Sequence, residues 1–101
     1  MKINLNGHEW TVLLTDRKNL NGDDGQCHTR TLIIYISNDL KGDARLCSFV
    51  HELTHAILNS SGRYYQSKFQ LEEVCEFVAW NRSIIEKYAI QFIEEIGLDE
   101  K

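Results

Sequence analysis

The sequence predicts an α+β fold, a small antiparallel or mixed three-stranded sheet packed on two helices. Short runs of strand character come first, helix-period apolar stripes come second, and the two kinds do not alternate. A chain of 101 residues, 43% hydrophobic and 26% charged, buries one modest core, so a single domain over residues 1–101 is expected. No proline interrupts the chain, which leaves glycines as its main punctuation.

Lys2–Leu5 and Glu9–Leu14 are short strand candidates joined at Asn6-Gly7, a strong two-residue hairpin signal. Thr15–Gly25 collects Asp16, Asn19, Asn21, Gly22, Asp23, Asp24 and Gly25 and reads as a loop. Thr31–Ile36, rich in β-branched and aromatic residues, makes the third strand. From Asp43 to about Ser60, Leu46, Val50, Leu53 and Ile57 form one helical apolar stripe, and Cys47, His51, His55 and Leu58 form its neighbour. Asp43 serves as N-cap and Ser60-Ser61-Gly62 as the stop.

The last helix begins at a capping box, Ser67-Lys68-Phe69-Gln70, continues through Val74, Val78, Ile85, Phe92 and Ile96, and ends before Gly97. Unbroken from Lys68 it would be about 43 Å long, more than a domain of this size is wide. Either it bends near Asn81-Arg82-Ser83, or its distal half, with Tyr88, Phe92 and Ile96, packs on the sheet or on a second copy. A monomer with a kinked helix is the expectation, and a homodimer the alternative.

His51-Glu52-Leu53-Thr54-His55 sits inside the first helix and reads H-E-x-x-H. Residues four apart lie one above the other on a helix, so both imidazoles can reach one zinc ion at about 2.0 to 2.1 Å. Glu52 projects about 100° around from His51, too far to be a third ligand but placed to take a proton from an activated water. Those roles describe amide hydrolysis.

Zinc needs a third protein ligand, with one position left open. Leu71-Glu72-Glu73-Val74-Cys75-Glu76-Phe77 supplies three carboxylates. Glu73 shares a helical face with Phe77, Trp80 and Ile84, whereas Glu72 aligns with Glu76 and Ser83 on a more polar side. Glu73 is therefore the expected ligand. Glu76 is the alternative, as ligand or as a carboxylate bonded to a ligating imidazole. Glu72 reads as a solvated first-turn acid.

A strand, the His51–His55 helix and a following Glu-Glu-rich helix together resemble the minimal zincins. These are small metallopeptidase-like proteins of phages and mobile elements, related to the ImmA/IrrE type. The resemblance covers roughly residues 26 to 85 and implies His51, His55 and Glu73 as zinc ligands with Glu52 as catalytic base. Glu73-Val74-Cys75-Glu76-Phe77-Val78 keeps the glutamate and phenylalanine of the ImmA/IrrE second-helix run but lacks its asparagine, so the broader minimal-zincin group fits better.

A Cys/His structural site using Cys47 or Cys75 competes, but free cysteines are commonly buried and both are expected to pack. His8 reads as a hairpin surface residue, and His28 as a strand-entry residue able to approach the cleft from the sheet. Tyr64 or Tyr65 could donate to a developing oxyanion. Three cysteines without paired spacing, and an N-terminus lacking a long apolar run, point to the cytoplasm, with no signal peptide or membrane span. A net charge of −4 with scattered basic residues argues against nucleic acid. The partner expected is a protein or peptide substrate.

The function expected is therefore that of a zinc metallopeptidase, an endopeptidase because nothing suggests a grip on a chain terminus. Two alternatives remain: a zinc-stabilised regulatory or binding module of phage origin with little or no turnover, and a metal-free interaction domain.

Overall fold

A computed structural model describes residues 1–60 and 71–100, and side chains there except at 71–74. One mixed sheet holds four strands, β1 (Lys2–Leu5), β2 (His8–Thr15), β3 (Gly25–His28) and β4 (Ile33–Ser37), in the order β1-β2-β4-β3. Asn6 and Gly7 take φ of 53° and 85°, the doubly left-handed turn that matches strand twist, and fold β2 antiparallel onto β1. β4 lies parallel to β2, and β3 pairs antiparallel on its far side. Two helices follow, α1 (Gly42–Ser60) and α2 (Leu71–Glu95).

The α+β expectation holds, with one strand more than the sequence suggested. Gly25-Gln26-Cys27-His28 contains no β-branched residue, so its extended form rests on pairing with β4 rather than on propensity. Within the expected loop, Arg17–Leu20 forms a 3-10 turn that buries Leu20. The strand expected at Thr31 begins instead at Ile33, because Leu32 adopts a left-handed φ of 57° and ends the turn between β3 and β4.

One sheet face carries Ile3, Leu5, Trp10, Val12, Ile34 and Ile36 into the core, where they meet Phe49, Leu53, Ala56 and Ile57 of α1. Phe77, Tyr88 and Phe92 bring α2 into the same cluster. Phe92 stacks on Phe49 with centroids 4.3 Å apart and planes 9° apart. Leu46 and Val50 lie at the edge of this core, partly buried.

α2 does not break at Asn81–Ser83; Asn81 Nδ2 donates to the Phe77 carbonyl within the helix at 2.9 Å. Its 25 residues, about 38 Å at 1.5 Å each, run the length of a molecule 38 Å in its longest dimension. The distal half docks on the sheet and α1, as the second sequence option had it. Gly97, left-handed at φ 82°, closes the helix by donating to the Phe92 carbonyl at 3.1 Å. The expected starts at Ser67 and Lys68 lie outside the described residues.

α1 begins at Gly42, one residue before the expected N-cap Asp43, with the Gly42 N–H donating to Leu98 O at 2.8 Å. Arg45, 4% exposed, points inward and donates to the carbonyls of Leu40, Asn38 and Gly97 at 2.7, 3.0 and 3.1 Å. One buried guanidinium thus ties the end of α2 to the start of α1. Among the described residues, no helix is long and apolar enough to cross a membrane.

Candidate metal centre

Helical spacing brings His51 and His55 together on the solvent side of α1, with ring centroids 4.9 Å apart and planes at 75°. The ligand atoms of His51, Glu52 and His55 all lie within 4.8 Å of one another, the only such group among the described residues that could hold a metal ion. The two histidines are exposed, whereas Glu52 is 7% exposed. Its Oε2 lies 4.0 Å from His51 Nε2, beside the two imidazoles.

Gly25 explains how Glu52 comes to be buried. A Cβ at that position would lie 2.9 Å from Ser48 Oγ, 2.9 Å from Tyr35 O and 3.1 Å from Glu52 Cγ. Only a glycine lets β3 lie this close to α1, and the contact shields one side of the carboxylate. Burial accordingly raises the Glu52 pKa; His51 opposes the shift and Asp23 adds to it. Burial, and then His51, lowers the pKa of His55, which favours the neutral imidazole that can bind metal.

The group opens on a cleft of about 800 Å³ between α1 and β3. Ala44, Cys47, Ser48, His51, Glu52 and His55 form the helical wall, recurring at the three- and four-residue steps of one helix face. Asp23 through Thr29 form the other. β3 is the last strand of the sheet. Ser37 N–H donates to Asp24 O at 2.8 Å, so the alternation of an antiparallel ladder turns the peptide groups of Gly25 and Cys27 away from β4. Neither finds a partner across that edge among the described residues.

The structure thus gathers three of the four expected site residues. The side chain of Glu73 lies outside the described residues, as do Tyr64 and Tyr65. Glu76 is exposed and not part of the donor group among the described residues. Cys47 and Cys75 are exposed, against the expectation that both pack: Cys47 shares the cleft-facing stripe with the histidines, and α2 turns Cys75 outward. Cys27 is the partly buried one, its thiol pushed up to about 12 by burial and by Glu52. His8 is exposed on the hairpin, as read. His28 does reach the cleft rim, bonded to Gln26 Oε1 at 2.9 Å and edge-on to Tyr35.

Sequence reasoning missed Asp23, Asp24, Gly25 and Ser48. Ser48 was legible, since it lies three residues before His51 and four before Glu52 on the cleft face. The other three sat in a segment read only as loop.

The family model described as the IrrE N-terminal-like domain, a peptidase family, matches residues 8–92. No curated protein and no solved structure gives a significant match.

Proposed function

We propose, from the premise that this chain belongs to the IrrE N-terminal-like domain family, that it is a zinc-dependent endopeptidase acting on extended segments of protein substrates. One observation carries this reading: the His51, Glu52 and His55 donor group faces a cleft whose opposite wall is a strand edge with no partner among the described residues. The donor set fits zinc, being two imidazoles on adjacent turns with a carboxylate beside them. Glu73, in the first turn of α2, is proposed as third ligand, with Glu76 one turn further as the alternative.

A zinc ion held there would supply polarisation of the scissile carbonyl and acidification of a water. The chain's own groups do the rest. The substrate backbone pairs with the outward peptide groups of Gly25 and Cys27, adding a strand to the sheet and presenting an extended amide along α1. Glu52 takes the proton of the attacking water and returns it to the departing amine nitrogen. Its burial disfavours the charged form and so raises its pKa. The three cysteines are free, in keeping with a reducing cytoplasm.

Metal analysis and proteolysis of wild type, His51→Ala, Glu73→Ala, Glu76→Ala and Glu52→Gln test this reading. Stoichiometric zinc lost in His51→Ala and Glu73→Ala, and retained in Glu52→Gln without cleavage, is the expected pattern. Zinc retained by a wild type that cleaves no unfolded protein would point instead to a metal-stabilised regulatory module.

A further inference from the structure

Among the described residues lining the cleft, the charged side chains are Asp23, Asp24 and Glu52, with no lysine or arginine to balance them. The three acids differ in how their charge is met. Asp24 is paired with Arg17 at 2.8 Å. Glu52 is buried and accepts no hydrogen bond from a described residue; the His51 ring nitrogen Nε2 lies 4.0 Å from it. Asp23 is exposed at the rim, and among the described residues its carboxylate accepts only from the neutral amide of Gln26, at 3.1 Å.

The loop around Asp23 is nonetheless a built one. Asp23 N–H donates to Leu20 O at 3.0 Å, and Gln26 Nε2 donates to that same carbonyl at 2.9 Å. Arg17 holds the preceding Gly22 carbonyl at 3.1 Å while pairing with Asp24 and Asp39. Asp23 therefore projects an uncompensated negative charge from a braced position two residues before Gly25. Two residues of strand span about 6 to 7 Å, the distance from a bond held over Glu52 to a side chain two positions along an added strand.

We infer that Asp23 is a specificity subsite that selects substrates carrying a lysine or arginine within two residues of the scissile bond. This rests on the endopeptidase reading for the words "scissile bond", but the subsite itself is a matter of binding. The buried Glu52 carboxylate and the open β3 edge identify the ligand as an extended chain, and the unmatched charge of Asp23 identifies its side chain as cationic. An exposed ion pair at a rim of this kind gives a preference of about fivefold at low ionic strength, falling as salt screens it.

The test uses fluorescein-labelled octapeptides of alanine and glycine bearing one lysine, norleucine or glutamate at each position in turn. Their affinity for the zinc-loaded Glu52→Gln protein is read by anisotropy, alongside Glu52→Gln combined with Asp23→Asn or Asp23→Lys. The expected result is a lysine preference over norleucine at one position, of about fivefold, lost with Asp23→Asn and turned toward glutamate with Asp23→Lys. A lysine preference that survives Asp23→Asn, no positional preference, or no binding of any peptide overturns the inference. Lysine-selective binding by a wild type that never cleaves leaves the subsite standing and removes the endopeptidase reading instead. Tighter zinc or calcium binding to wild type than to Asp23→Asn, without a peptide preference, would make Asp23 a cation ligand and also overturn it.

Discussion

The two edges of the sheet are treated in opposite ways. At β1 the ladder turns the peptide groups of Lys2 and Asn4 outward, and α2 covers them: Asn4 N–H donates to the Tyr88 hydroxyl at 3.1 Å, that hydroxyl donates to Asn4 O at 2.7 Å, and Gln91 Nε2 donates to Lys2 O at 2.9 Å. At β3 the outward groups of Gly25 and Cys27 face the cleft that holds His51, Glu52 and His55. An unpaired edge is a template for any extended chain, and folded proteins usually block it. Among the described residues, the edge far from the histidines is blocked and the edge beside them is not, which suits the strand capture proposed above.

The largest effect expected from disturbing this arrangement comes at the anchor of the closed edge. Phe92 is fully buried on Phe49 and holds the distal half of α2 over β1. Phe92→Ala should cost about 3 to 5 kcal/mol, read by chemical denaturation. Amide exchange should show the Asn4 N–H losing protection before the Gln26 N–H, which points inward to β4. Equal loss at both would mean that α2 does not guard β1 independently of the rest of the core.

Next in size is Gly25→Val at the open edge. Its side chain must displace Ser48 and Glu52 or push β3 off α1, since the first atom alone already falls inside contact distance. A shift of about 1 Å in Glu52 should lower kcat/KM on an unfolded protein substrate by on the order of 100-fold. Zinc content should stay near that of wild type, because neither histidine moves. Loss of zinc together with activity would show that β3 shapes the ligand set and not only the base.

Smaller again is Tyr88→Phe, which removes one hydroxyl and leaves the Asn4 peptide groups to water. About 1 kcal/mol of stability should go. The more telling measurement is self-association: light scattering at rising concentration should detect more edge-to-edge pairing in the variant, with two edges open, than in wild type, with only β3 open. A variant that associates no more than wild type would show the helix backbone, rather than these two bonds, to be the shield.

The difference between the edges also marks what could be read from the sequence. β1, β2 and both helices announce themselves through Asn6-Gly7, alternating apolar residues and helix-period stripes, because local propensity and burial agree there. His51, Glu52 and His55 were legible because a five-residue helical spacing carries its own geometry. β3 was not, since Gly25-Gln26-Cys27-His28 is extended only by virtue of β4, and its glycine is required by Glu52 and Ser48, which lie more than twenty residues away. Arg45 shows the same limit: nothing local distinguishes it from a surface arginine, yet it bonds carbonyls at Leu40, Asn38 and Gly97.

The smallest effect separates the edges by pH. The closed edge is held by neutral hydrogen bonds, whereas the loop entering β3 is held by ions: Arg17 donates to both Asp39 oxygens at 2.8 Å and to Asp24 at 2.8 Å. The Arg17 guanidinium, and then the Ser37 hydroxyl, hold the Asp39 carboxyl well below its ordinary 3.8. A carboxyl whose folded value is depressed contributes stability that is complete above the ordinary value and is lost as pH falls through the folded one. Protection factors at Gln26, corrected for intrinsic exchange, should therefore hold steady down to about pH 4 and decline below it, while that of Asn4 does not follow. The groups are exposed, so added salt should shrink the difference, and Asp39→Asn should remove it by making the β3 loop equally loose at every pH. A parallel decline at both edges, or an unchanged profile in Asp39→Asn, would show that acid acts on the whole fold rather than on the ionic brace behind the open edge.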